Sequence, residues 1–240
     1  MISMSSSARQ KDRNSALRPH PRQLPPWRDR AIPVNQEALL LVELEAHEFC
    51  IDLSALSQLV LSDLGATLQV LRLAGREFGY AASRSTRMED CVASLGVQTC
   101  LDAASAQLIP HGEISNSITE LWRHSSEIAR QSKQIAEETV DIDPEQAYLV
   151  GLCHAIGRLP AALGWSGSMN QRHNPVLMGL ELAREWSLPP CIFDYFSDLH
   201  RGGGRSPWPD IVKAAHDCIG QRSAVWLCME DPSSQLRWAV

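Results

Sequence analysis

From Val34 onward the chain reads as one helix signal after another, with hardly any of the strict apolar–polar alternation that marks a half-buried strand. Glu37 to Phe49 sets Leu40, Glu43-Leu44 and His47 at helical spacing beside Leu39 and Val42. Asp52 or Ser54 can cap a helix with Leu53, Leu56, Leu59 and Val60 on one face, and Asp63 can cap another running from Leu64 to about Ala74. Gly75 to Arg87 reads as a loop. Met88 to Leu95 is a short helix stopped by Gly96, and Val97 to Ile109 is a further helix ended by Pro110. The longest helix is predicted over Ser115–Glu138. Asp143-Pro144-Glu145, an N-cap followed by proline at the first helical position, starts the next, which Gly157 is expected to close. Later helices are predicted over Val176–Trp186, Pro190–Leu199 and Trp208–Met229, with Gly202-Gly203-Gly204 as a connection. The expected fold is therefore all-α.

The first 34 residues differ in kind. Ser5-Ser6-Ser7 and prolines 19, 21, 25, 26 and 33 break any helix, and apolar periodicity is missing. This leader holds seven Lys/Arg against Asp12 and Asp29, a net of +5; since the whole chain carries −6, the remainder carries −11. A remainder that acidic is a poor binder of phosphate backbones, so nucleic acid is not the expected partner, except through the basic leader itself. Within the leader, Trp27 stands between proline and arginine and is a candidate contact for a partner. The expected organisation is a disordered leader over 1–34 and a helical domain over 35–240. That domain divides into an N-terminal lobe of about 35–110 and a second lobe of about 112–240, with a cleft between them that Gly75–Arg87 would border.

Composition excludes several classes. At 240 residues and 44% hydrophobic content the chain can bury a sizeable core. No apolar stretch approaches the roughly 18–20 residues needed to cross a bilayer, and the first residues lack the apolar region of a secretory signal, so no membrane is expected and the protein is expected in the cytoplasm. Seven cysteines, an odd number without a Cys-x-x-Cys pair, suit reduced core residues better than disulfides or a zinc knuckle. The glycine run at 202–204 lacks the lysine and hydroxyl residue of a phosphate loop.

The residues that could carry chemistry are histidines. Leu121-Trp122-Arg123-His124-Ser125 lies about thirty residues before Gly151-Leu152-Cys153-His154-Ala155-Ile156-Gly157, and two histidines on adjacent helices can approach across a bundle. Binuclear phosphohydrolase sites add a carboxylate that bridges the ions and balances their charge.

This pairing resembles the HD superfamily of metal-dependent phosphohydrolases, and specifically its degenerate branch, the HDOD domain. The likeness spans nearly everything after the leader. It rests on five features in order: Asp63 with the leucine-rich helix to Ala74, the short helix ending in Leu95-Gly96, the Trp122–Ser125 turn, the Gly151–Gly157 segment, and Trp186-Ser187-Leu188-Pro189. The resemblance implies an HD-like helical array. It also marks the departures. Where a catalytic HD site has a metal-ligating aspartate after its second histidine, this chain has Ala155, and a methyl group can neither ligate nor bridge cations. Asp63 is followed by Leu64 instead of proline, and Gly75-Arg76 replaces Asn-Ser.

The vestigial site positions are thus His124, His154, Ala155 and Asp217, with His216-Asp217 spelling the motif's letters in the wrong context; no metal, cofactor or catalytic residue is expected. The function implied is a non-catalytic bacterial signalling module acting through protein contacts, its signalling partner supplied in trans, with Asp63, Gly75, Arg76 and Trp27 as candidate contacts. The alternatives are a phosphohydrolase assembled from His124, His154, His173 or His200 and Asp217, and a nucleic-acid-associated factor using the leader.

Overall fold

A computed structural model describes residues 30–79, 87–105, 116–165 and 174–220; His173 and residues 1–29, Trp27 among them, lie outside these, whereas the expected leader's last residues are ordered, with Ile32 and Val34 buried in the core and the Ile32 carbonyl accepting from Gln69. Every regular element among the described residues is helical, as the capping signals predict: α1 (Gln36–Ala46), α2 (Leu53–Leu61), α3 (Leu64–Phe78), α4 (Met88–Leu95), α5 (Val97–Ser105), α6 (Asn116–Glu137), α7 (Pro144–Cys153), α8 (Leu159–Ala162), α9 (Pro175–Glu185), α10 (Pro190–Arg201) and α11 (Trp208–Ile219). A 3-10 turn, Ile156–Arg158, leads into α8. None of these helices is long and apolar enough to cross a membrane.

The caps are side-chain oxygens on otherwise unsatisfied amides. Asn35 accepts from the amide of Glu37, Asp52 from those of Ser54 and Ala55, Asp143 from those of Glu145 and Gln146, and Asn174 from those of Val176 and Leu177. Gly96, at φ +83°, ends α4 in the conformation glycine favours. Asp198 fastens the loop after α10: its carboxylate accepts from the amides of Arg205 and Ser206 and from the Ser206 hydroxyl at 2.6–3.0 Å.

Three further expectations need correction. The last helix, expected to run to Met229, ends at Ile219 with Gly220 at φ +64°. Gly75 lies inside α3, which runs on to Phe78, and it is packed against Trp186 and Ser187, so no loop begins there. α7 stops at Cys153, four residues before Gly157: His154 keeps helical dihedrals as the C-cap, Ala155 departs from them at φ −106° and ψ 11°, and the His154 ring donates to the Gly151 carbonyl.

Helices α1 to α5 pack on one another, and α6 lies along α7 with α11 beside both. Gly151 permits the close α6–α7 approach, since a Cβ there would stand 2.8 Å from the Cα of Ala129 and 3.0 Å from the Ile128 carbonyl oxygen. Gly157 does the same for the 3-10 turn, where a Cβ would run into the Pro175 carbonyl at the start of α9.

The two groups of helices share one core. Leu64 and Leu68 of α3, Leu121 and Ile128 of α6, and Leu152, Leu182 and Trp186 all belong to a single buried cluster. Polar links reinforce it: the Tyr148 hydroxyl donates to the Leu61 carbonyl at 3.1 Å, and the Trp122 side chain donates to the buried Asp63 carboxylate. The Arg72 guanidinium lies 5.8 Å from the centre of the Trp186 ring.

A three-histidine candidate site

Three helices that already pack together each bring one histidine to the same point. His124 sits on the buried face of α6, with Leu121, Ser125 and Ile128 at helical spacing around it. His154 is the first residue past α7, and His216 lies near the end of α11. Ring centres are 5.1 Å apart for His124–His154 and 5.0 Å for each of the other two pairs. The Nε2 atoms of His124 and His154 are 3.3 Å apart, and one ring nitrogen from each of the three lies within 4.8 Å of the others.

The tautomer of His154 follows from its partner. Its Nδ1 is 2.7 Å from the Gly151 carbonyl oxygen, which can only accept, so Nδ1 carries the proton and Nε2 presents a lone pair toward His124.

Electrostatics keep the group uncharged. Burial pushes the His124 pKa down to about 4, with the charges of His216, Arg158 and Arg123 adding to the effect. Burial likewise drives His154 well below its ordinary value, helped by His216 and His124 and opposed by the Gly151 hydrogen bond. His216 is lowered by burial and then by Arg158, while Asp217 works the other way. At neutral pH the three rings are therefore neutral nitrogen donors, in surroundings that disfavour their protonation.

The residues singled out from the sequence fall as follows. His124 and His154 meet, and Ala155 follows them as a buried methyl group. Asp217 is exposed, and its neighbour His216 takes the place in the cluster. His200 is in the last turn of α10, outside the group. Among the described residues no carboxylate joins the three imidazoles within ligand distance. Asp63, considered as a partner contact, is 3% exposed and serves inside the fold: its carboxylate accepts from the amides of Ala66 and Asn35. Burial raises its pKa despite those bonds. Gly75 is buried in α3, and Arg76 is exposed beside it.

The sequence reading missed His216 as a site residue, although a signal was present. Val212 is buried on α11, and a residue four further on shares its face; that residue is His216, whereas Asp217 follows the exposed Lys213.

Comparison with known proteins agrees with this architecture. The fold is similar to a crystal structure of the MmoQ response regulator from Methylococcus capsulatus str. Bath, with a TM-score of 0.64 and 17% identity over 88% of this chain and 93% of that one. A second crystal structure, of fragment 20-298 of the MmoQ response regulator from the same organism, matches with a TM-score of 0.59 and 18% identity over 86% of this chain and 89% of the other. No curated protein matches. The family profile of the HDOD domain matches residues 38–174, a stretch that includes His124, His154 and Ala155 and ends before His216. The match covers more than half of the chain, which therefore belongs to the HDOD domain family.

Proposed function

We propose that this protein is a non-catalytic regulatory module of a bacterial cytoplasmic signalling pathway, acting by contact with a partner protein in trans. The observation that carries this reading is Ala155, a buried methyl group immediately after His154. Two-metal hydrolysis of a phosphoester needs a bridging or balancing carboxylate to hold both ions on the attacking and leaving oxygens. Three neutral imidazoles supply no such charge. Family membership supports a signalling role, as does the fold shared with proteins described as response regulators.

A surface suited to contact is present on α1. Leu40 and Leu41 are each 50% exposed and Leu44 66%, with Phe49 and Ile51 exposed just beyond. An outward row of large apolar side chains on one element suits a partner. The test has two arms. A Leu41→Glu, Leu44→Glu double variant should keep its helicity while losing partners captured by the wild type from the native cell. Purified wild-type protein supplied with Mn2+ or Fe2+ should not turn over a generic phosphodiester such as bis(p-nitrophenyl) phosphate. Turnover abolished by His154→Ala would instead establish the second reading, an atypical metal-dependent phosphohydrolase, which the meeting of three histidines favours.

A further inference from the structure

We infer that His124, His154 and His216 form a binding site for a single first-row transition-metal dication, of the kind zinc occupies, linking α6, the end of α7 and α11. The argument is geometric. Zinc–imidazole bonds of about 2.0–2.1 Å at tetrahedral angles place two ligand nitrogens about 3.3 Å apart. The Nε2 atoms of His124 and His154 stand 3.3 Å apart. Metal-free, that contact requires one ring to donate a proton to the other; a metal replaces the proton without moving either nitrogen.

His154 also has the outer support that metal-bound histidines show. Its Nδ1–H donates to the Gly151 carbonyl, fixing the ring and directing Nε2 inward. The third donor, His216, has its ligand atom no more than 4.8 Å from the other two. It is the most exposed of the three, so its ring has the most room to turn into ligand distance.

The donor set selects the ion. Three neutral imidazoles suit zinc, copper, nickel or iron and are poor ligands for magnesium or calcium, which prefer oxygen. Three protein ligands leave a fourth position open. Arg158, whose positive charge acts on all three rings, favours an anion or hydroxide there over a neutral ligand. This mononuclear site differs from a binuclear carboxylate-bridged one, and it depends on a histidine outside the stretch matched by the family profile. It also stands apart from the regulatory reading: a negative metal result leaves the partner-binding and turnover tests where they are.

The experiment is a titration of chelator-stripped, tag-free, full-length protein with Co2+ at neutral pH, followed by absorption spectroscopy and then displacement with Zn2+. One equivalent of cobalt should bind, with the visible bands of a four- or five-coordinate ion, and zinc should abolish them. Losing one protein ligand should weaken binding at least about tenfold, so His216→Gln, the change least able to disturb packing, should do so with its helicity intact. His200→Ala, on α10 outside the cluster, should bind as the wild type does. The inference is overturned if the wild type takes up no cobalt. It is equally overturned if folded His216→Gln binds unchanged, or if an intense near-ultraviolet thiolate band, lost in Cys218→Ser, shows that the nearby exposed cysteine holds the ion.

Discussion

His124 and Asp63 are both polar side chains inside the core, and their environments treat them differently. Asp63 accepts hydrogen bonds from two backbone amides and from Trp122, which offset part of the burial that raises its pKa. His124 is only tolerable neutral. With a folded pKa of about 4 against 6.5 for the free side chain, the unfolded chain takes up a proton that the folded chain resists. The stabilising effect of a neutral His124 is complete above pH 6.5 and is lost progressively as pH falls toward 4, amounting to about 3 kcal/mol. Denaturant midpoints of chelated protein between pH 7 and pH 4 should show the decline, and His124→Gln should make it shallower, the remainder coming from His154 and His216.

The sequence made His124 and His154 legible through their spacing and flanking motifs. His216 was hidden because the letters His-Asp drew attention to the acid. On a helix, consecutive residues point about 100° apart, so only one of the two can face the site. The buried row Trp208, Ile211, Val212 and Ala215 selects the histidine.

At the scale of elements, the caps were readable and the glycines were not. Asp52, Asp63 and Asp143 start their helices where a carboxylate before an apolar run says they should. Gly75 and Gly157 carry the same letter as Gly96, which does end a helix at φ +83°. Mid-helix glycine costs only about 1 kcal/mol relative to alanine, which packing easily overrides, so the letter alone does not distinguish a stop from a close approach.

Substitution separates the two roles. Gly157→Ala and Gly151→Ala each force a Cβ against backbone atoms of a neighbouring helix, and should destabilise the protein by about 1–3 kcal/mol. Gly203→Ala, with nothing within 4 Å of the added atom, should leave the thermal midpoint nearly unchanged. The caps give a matching test. Asp63→Ala should cost about 1–2 kcal/mol, whereas Asp63→Asn, which keeps an accepting oxygen for the Ala66 amide, should cost less; urea unfolding measures both.

For the whole molecule, the helix pattern suggests two lobes, and whether they behave as separate bodies depends on what lies between them. A sequence shows each apolar face and not which face meets which, so the shared core was invisible there. The described residues place α3 and α6 in one continuous apolar cluster, with Tyr148 bonded to Leu61 and Trp122 to Asp63 across the junction. Such a junction is unlike the polar interfaces that let domains move independently. Loss of either lobe would expose apolar surface on the other, so partial unfolding is disfavoured and the described helices should unfold together. Tryptophan fluorescence, to which the buried Trp165, Trp186 and Trp208 of the second lobe contribute, should therefore follow the same urea curve as far-ultraviolet helicity from both lobes. Tyr148→Phe removes one cross-lobe hydrogen bond, should lower stability by about 1 kcal/mol, and should leave the two curves superimposed. Two separated transitions in the wild type would mean that the lobes, despite their common core, are independent folding units.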